Sequence, residues 1–227
     1  MNNNIKIKSL VKKYEKNKSL KVLNGISFKF ESGNTYSIIG PSGSGKSTLL
    51  NMLSLIDSPT SGSIEINNNK INSNDRIKND VIRASKIGII YQDKNLLSDF
   101  TALENVYLPN LLITKEKQKS KDLAKKLIKD VGMFSRINHF PNELSGGENQ
   151  RIAIARALIN DPDIILADEP TGSLDSENAK LIFKMLLSLK KKDRIIIFAT
   201  HNRYFANMAD CKIMMNNGNI QITNATI

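Results

Sequence analysis

Polar and apolar residues alternate along Ile5–Leu10 and again along Leu20–Phe30, with a polar turn between them, a pattern that predicts two antiparallel strands buried on one face. Thr35–Ile39 (TYSII) is a short continuous apolar run, the mark of a buried strand, and it leads into a glycine-rich loop at Gly40. Leu49, Leu50, Leu53 and Ile56 then recur at helical spacing, which predicts a helix with one buried face. Pro59, Ser61 and Gly62 break the chain before another strand over Ser63–Ile66. Asn67–Asn79 is polar and turn-rich and reads as an exposed excursion, whereas Ile87–Tyr91 (IGIIY) reads as a buried strand that ends at Gln92.

From about Lys94 to Asn160 the pattern is helical, and lysine-rich Lys115–Val131, apolar at Leu123, Leu127 and Ile128, predicts a half-exposed helix. Alternation of strand and helix then resumes with strand Ile164–Ala167, helix Glu177–Leu189 and strand Ile195–Thr200. Lys212–Met215 and Ile220–Ile222 flank Asn217-Gly218, a strong hairpin signal. The expected fold is α/β: a core with a mostly parallel sheet, an N-terminal antiparallel β subdomain and an inserted α-helical subdomain. A single domain over 1–227 is expected, with 1–93 and 161–227 forming the core and 94–160 the helical insertion.

Composition narrows the function. The 227 residues suffice for one large domain with a real core. No apolar stretch approaches the ~20 residues needed to span a bilayer, and the N-terminus lacks the apolar segment of a signal peptide, so work at a membrane calls for a partner. The single cysteine, Cys211, excludes an internal disulfide framework and fits a reducing compartment. A net charge of +11 invites a nucleic-acid reading, but the excess comes from 26 Lys against 7 Arg. Readers of phosphates and bases lean on the planar fork of arginine. With Asn and Ile also abundant, the charge reads as A/T-rich coding composition and solvated surface, with attraction to anionic lipid the lesser alternative.

Gly40-Pro41-Ser42-Gly43-Ser44-Gly45-Lys46-Ser47 fits G-x-x-x-x-G-K-[ST] between a strand and a helix, the context that a phosphate loop requires. Glycines let backbone amides curl around a phosphate, and the helix N-terminus adds its positive dipole end. Lys46 reaches the β- and γ-oxygens of ATP, and Ser47 offers its hydroxyl to Mg²⁺ with Thr48 beside it. A chance glycine-rich turn would not sit in register with both elements. Ile164–Glu169 (IILADE) ends a buried strand in two carboxylates, of which Asp168 can hold Mg²⁺ through water and Glu169 can polarise an attacking water. Such an ending is common by itself and gains meaning from the phosphate loop upstream. Ser145, Gly146, Gly147 and Glu148 open a further helix, a second anion-binding N-terminus. One γ-phosphate has no evident need of two such sites from one subunit, so the second is suited to the ATP of another copy.

Leu144–Glu148 (LSGGE) resembles the LSGGQ signature of the ABC transporter ATPases, with Glu148 in place of Gln, and the family's motifs follow in order over nearly the whole chain. The resemblance implies a P-loop NTPase (RecA-like) core and an ATPase that dimerises around two ATP molecules and drives integral-membrane subunits from the cytoplasmic face of the membrane. It assigns Tyr14 to adenine stacking, although a tyrosine at a strand end also packs simply on its sheet. It assigns Gln92 to Mg²⁺ and the attacking water, Asp175 of Ser173-Leu174-Asp175 to the opposite subunit, and His201 to the γ-phosphate. Asn202 replaces the Asp that often follows this histidine. Leu96, Leu97 and Phe100, interspersed with Asp93, Asp99 and Glu104, have the mix expected beside a groove for the membrane subunit.

Tyr91–Val106 and Ala167–Asp175 are most similar to the group that holds lipoprotein-release, macrolide-export and cell-division ATPases, and within it to the lipoprotein-releasing type; exporters of antimicrobial peptides stay open. DNA-linked relatives carry a long coiled coil between phosphate loop and signature, and ribosome-linked ones carry two cassettes. This chain shows neither, so nucleic acid is not an expected partner. A non-catalytic ATP sensor is disfavoured by the presence of Glu169 and His201.

Overall fold

The computed structural model describes residues 3–14 and 20–225. Strands β1 (Asn4–Tyr14) and β2 (Leu20–Glu31) pair antiparallel as their alternation predicts, and the expected turn between them lies outside the described residues. Ile5, Ile7 and Leu10 are all buried, although strict alternation would send Leu10 to the other face. A register shift between Ile7 and Leu10, with Ser9 at φ 47°, inserts the residue that restores Leu10 to the core. β4 (Ser61–Ile66) pairs with the far edge of β1, and β5 (Asn69–Lys70) completes a sheet of order β2-β1-β4-β5.

The second sheet consists of β3 (Thr35–Ile39), β6 (Ile87–Ile90), β7 (Ile164–Asp168), β8 (Ile195–Ala199), β9 (Cys211–Asn216) and β10 (Asn219–Ala225). Its order is β10-β9-β3-β8-β7-β6, and every pairing is parallel except the closing hairpin. Strands covered on both faces read as unbroken apolar runs. Period-two alternation nevertheless sorts their side chains into two cores. Ile164, Leu166, Ile195 and Ile197 join the first β-sheet and α1 (Lys46–Leu53) in one. Ile165, Ala167, Ile196 and Phe198 face helices in the other.

Those helices are α3 (Ala102–Thr114), α4 (Lys117–Asp130) and α5 (Gly146–Leu158), all within 94–160, together with α6 (Ser176–Ser188). α4 turns Ser120, Ala124 and Ile128 inward and leaves Leu123 half exposed, so its buried stripe includes small residues that a reading for large apolar side chains passes over. Two further expectations are corrected. Ile56 is not part of the α1 face: the helix ends at Leu53, Leu55 takes a left-handed φ of 60°, and Ile56 emerges into solvent. Asn67–Asn79 is not wholly irregular, because it contains β5 and the first turn of α2 (Arg76–Lys86). The carboxylate of Asp75 caps that helix by accepting from the amide of Lys78 at 3.1 Å. Ile77 and Val81, spaced one helical turn apart, point outward, so α2 carries apolar side chains on its exposed face. A short helix, α7 (Arg203–Ala206), was also hidden.

β6 lies against α5 through Gly88, where an added Cβ would come 2.5 Å from the carbonyl oxygen of Ala157. Gly88→Ala is therefore expected to destabilise the domain by about 1–3 kcal/mol, the cost of overpacking. Chemical denaturation checks this as a lower midpoint at unchanged slope.

Candidate active site

Four of the groups singled out in sequence meet at one edge. β3, β8, β7 and β6 are neighbours, and their carboxyl ends deliver the phosphate loop, His201, Asp168 with Glu169, and Gln92. Loops at the carboxyl edge of a parallel sheet are where this architecture builds sites. They line a cleft of about 570 Å³ with Ser42, Gly43, Gly45, Lys46, Ser47, Thr48, Gln92, Asp168, Glu169 and His201 on its walls.

The loop 40–47 holds its shape through glycine conformations and close approaches. Gly43 and Gly45 have φ of 76° and 106°, and a Cβ on Gly40 would lie 2.1 Å from the carbonyl oxygen of Met215. The Asn217-Gly218 turn sits against the loop: the amide of Gly218 donates to the carbonyl of Ser44 at 3.1 Å, and its own carbonyl accepts from Asn24 at 2.9 Å. The hairpin legible in sequence thus doubles as a support for the loop. Pro41 is exposed at the rim, and Ser44 is buried beneath it with an unpartnered hydroxyl oxygen. The ammonium of Lys46 donates to the carbonyls of Gly40 and Pro41 at 2.9 and 3.0 Å, which keeps it at the loop.

Burial pushes the Asp168 carboxyl above the ordinary aspartate value, and the nearby charge of Glu169 adds to this; the Ser47 hydroxyl and the Lys46 ammonium oppose it. Its Oδ1 is buried without a hydrogen-bond partner. An orphaned carboxylate oxygen beside a serine hydroxyl, facing the cleft, fits a hard divalent cation. Glu169 stands in a left-handed conformation (φ 44°) that a glutamate adopts only when its surroundings impose it. The amide of Glu169 donates to the carbonyl of Ala199 at 3.0 Å, and its Oε2 lies 2.9 Å from His201 Nδ1. Gly172 closes the turn: a Cβ there would press on the Gln92 amide at 3.1 Å. Asn202 caps α7 by accepting from the amides of Tyr204 and Phe205, which fixes the chain just past His201.

Ser145 is the N-cap of α5 and forms a capping box with Glu148: the Glu148 amide donates to Ser145 Oγ at 3.2 Å, and Glu148 Oε2 accepts from the Ser145 amide at 2.8 Å. Gly147 lets α5 approach α6, since a Cβ there would come 2.8 Å from Asn178 Oδ1, and Gly146 faces Leu174. Asp175 caps α6, accepting from the amides of Glu177 and Asn178 at 3.1 and 2.9 Å. None of Ser145, Gly146, Gly147, Glu148 or Asp175 lines the cleft of their own chain. Tyr14 is also absent from its walls; its hydroxyl donates to Asp57 at 2.9 Å, and the Lys12 ammonium lies 4.8 Å from its ring centre. Leu20 and Val22 of β2 supply the apolar wall instead, a contribution the strand pattern did not reveal because nothing in it marks a neighbour from another sheet.

A phosphate loop, an acidic strand end, a glutamine and a histidine on one parallel edge define a nucleotide hydrolase of the P-loop class. The chain belongs to the ABC transporter family, whose profile matches residues 23–172. It is 44% identical over 225 residues to the lipoprotein-releasing system ATP-binding protein LolD of Wigglesworthia glossinidia brevipalpis, covering 97% of this chain and 98% of the relative. Among solved structures it resembles the dimeric MJ0796, a bacterial ABC transporter cassette, with TM-score 0.88, 37% identity and 96% of each chain covered. A dimeric post-hydrolysis state of the same cassette bound to ADP and Pi superposes at TM-score 0.87 with 35% identity, covering 97% of this chain and 98% of that one.

Hydrogen bonds from Ser145, first its amide, hold the Glu148 carboxyl below the ordinary glutamate value, with Arg136 assisting from 3.1 Å. A carboxyl depressed by folding contributes stability above its unfolded pKa and loses it as the pH falls through the folded value. Glu148→Gln is expected to flatten the acid limb of Tm against pH, relative to the wild type, as the pH falls from the ordinary glutamate value through the lower folded one. Parallel acid limbs would show that the capping carboxylate does not contribute.

Proposed function

We propose that the protein is the ATP-hydrolysing subunit of an ABC transporter for lipoprotein release, working at the cytoplasmic face of the membrane on integral-membrane partners. The observation that carries the ATPase assignment is the convergence of Lys46, Ser47, Gln92, Asp168, Glu169 and His201 on one cleft. In this reading the phosphate loop from Gly40 to Thr48 cradles ATP, and Tyr14, the cross-strand partner of the wall residue Leu20, is assigned to the base just beyond the cleft wall. Ser47, Asp168 and Gln92 would hold Mg²⁺, partly through water, and the ion would supply charge neutralisation at the phosphates. Glu169, held by the Ala199 carbonyl, orients the attacking water and accepts its proton, while His201, braced by Glu169, contacts the γ-phosphate.

Ser145–Glu148 and Asp175 do not line this cleft, which supports their assignment to the ATP of a second copy and hence an ATP-sandwiched dimer; the relative solved as a dimer supports it further. Segment 94–160 is assigned as the signature lobe. Between α2, β6 and α3 lies a hollow of about 270 Å³ lined by Arg83, Ile89, Tyr91, Asn95 and Pro109, among others, and Leu97 and Phe100 are exposed nearby. We assign this face to the membrane subunit. The cargo class rests on relatives named for lipoprotein release, and ATP-dependent release of lipoprotein from membranes by the assembled complex tests it.

Glu169→Gln is expected to bind ATP normally, to hydrolyse it at least about a hundredfold more slowly, and to run as a dimer in sizing chromatography with ATP. Normal turnover would remove Glu169 from the water-activating role. Lys46→Ala is expected to lose nucleotide binding itself, read by calorimetry, because the remaining cradle offers only neutral amides to the phosphates.

A further inference from the structure

Past Gln92 the chain turns away through two left-handed residues, Lys94 at φ 56° and Asn95 at φ 48°. L-residues disfavour that region, so neighbouring groups have to hold the turn. Two of these groups come from one helix. Arg156 of α5 places one guanidinium nitrogen on the Lys94 carbonyl at 2.6 Å and the other on the Asn95 carbonyl. Gln150, six residues earlier on α5 and fully buried, reaches the Tyr91 carbonyl at 3.4 Å. α5 therefore holds the backbone on both sides of Gln92. From the opposite side the Lys94 ammonium donates to Ser173 Oγ at 2.6 Å, in the loop that runs from Glu169 to the Asp175 cap.

We propose, resting on the assignment of Gln92 to the γ-phosphate and metal made above, that Arg156 is a positioning residue that makes the Gln92 loop part of the α5 body. Occupancy of a subunit's own cleft, sensed at Gln92, is thereby passed to the N-terminus of the same helix, where Ser145–Glu148 meet the second copy. The Lys94–Ser173 bond ties the same loop to the segment that carries Asp175. These hydrogen bonds thus connect the water-activating loop, the glutamine and both elements offered across the dimer. A guanidinium is suited to this work because its fixed fork reaches two carbonyls at once, which a single ammonium on a flexible stem does not reproduce. A purely structural role for Arg156 would lower stability and leave the turnover of the folded fraction intact.

The test uses the full chain with three variants: Arg156→Lys, Lys94→Met and Gln92→Ala. Arg156→Lys is expected to lower kcat about tenfold with KM for ATP within about twofold, as when an interaction specific to the transition state is removed. In a Glu169→Gln background, ATP-driven dimer formation is expected to require several-fold more ATP, although nucleotide affinity of the monomer is unchanged. Lys94→Met removes only a surface ammonium and is expected to lower kcat several-fold at unchanged melting temperature, so it decides the matter if Arg156→Lys fails to fold. Wild-type kcat in both folded variants, with Gln92→Ala impaired, would overturn the latch and leave the role of Gln92 intact. Wild-type turnover of Gln92→Ala would instead remove the premise. A loss in Arg156→Lys that disappears when assayed well below its melting temperature would assign Arg156 to stability alone.

Discussion

The carboxyl ends of β3, β8, β7 and β6 lie side by side because each strand is hydrogen-bonded to the next in the same direction, and the phosphate loop, Gln92, Asp168, Glu169 and His201 all hang from that edge. Parallel pairing leaves no room for tight hairpins, so each strand returns through a crossover and its end is free to carry a loop. Burial of Ile195–Ala199 and Ile164–Ala167 on both faces makes the edge stiff. That stiffness is what allows Glu169 to be held in a left-handed conformation against the Ala199 carbonyl and beside His201. A looser strand end would relax the backbone and lose the alignment.

The helical side obeys a second constraint, close packing at glycine. Gly88 brings β6 onto α5, and Gly147 brings α5 onto α6, so the signature helix is wedged between the edge strand and the helix that Asp175 caps. Capping residues recur here. Ser145 and Glu148 satisfy amides at the start of α5, and Asp175 does so for α6. The proposed contact with a second copy would be made at positions that their own helices already fix. Asn202 belongs to the same class: in place of an acidic side chain it fastens the chain after His201 by capping α7.

Periodicity sufficed for the strands of both sheets except β5, whose two residues are exposed, because burial on one face or two leaves an imprint of alternation or of unbroken apolar runs. Motif spacing placed the glycine-rich loop between β3 and α1, the acidic residues at the end of β7 and the Ser145 segment at the start of α5, since each is a short contiguous stretch with a local backbone shape. α2 was passed over because its first turn lies in the polar stretch Asn67–Asn79, and α7 because four residues are too few to show a period. The bulge at Ser9 left only an indirect trace, the displaced Leu10.

By itself the amino-acid sequence determined what is local: which segments extend, which coil, and which carry a phosphate cradle, a carboxylate pair or a helix cap. Tertiary structure alone decided what stands next to what. It set Leu20 and Val22 as the wall of the cleft, the Asn217-Gly218 turn as the prop of the phosphate loop, and Arg156 as the clasp on the backbone beyond Gln92. The physical reason is that such contacts join residues far apart in the chain through carbonyls and amides that every residue possesses, so no residue type announces them; only the packing of the two cores brings them within hydrogen-bonding reach.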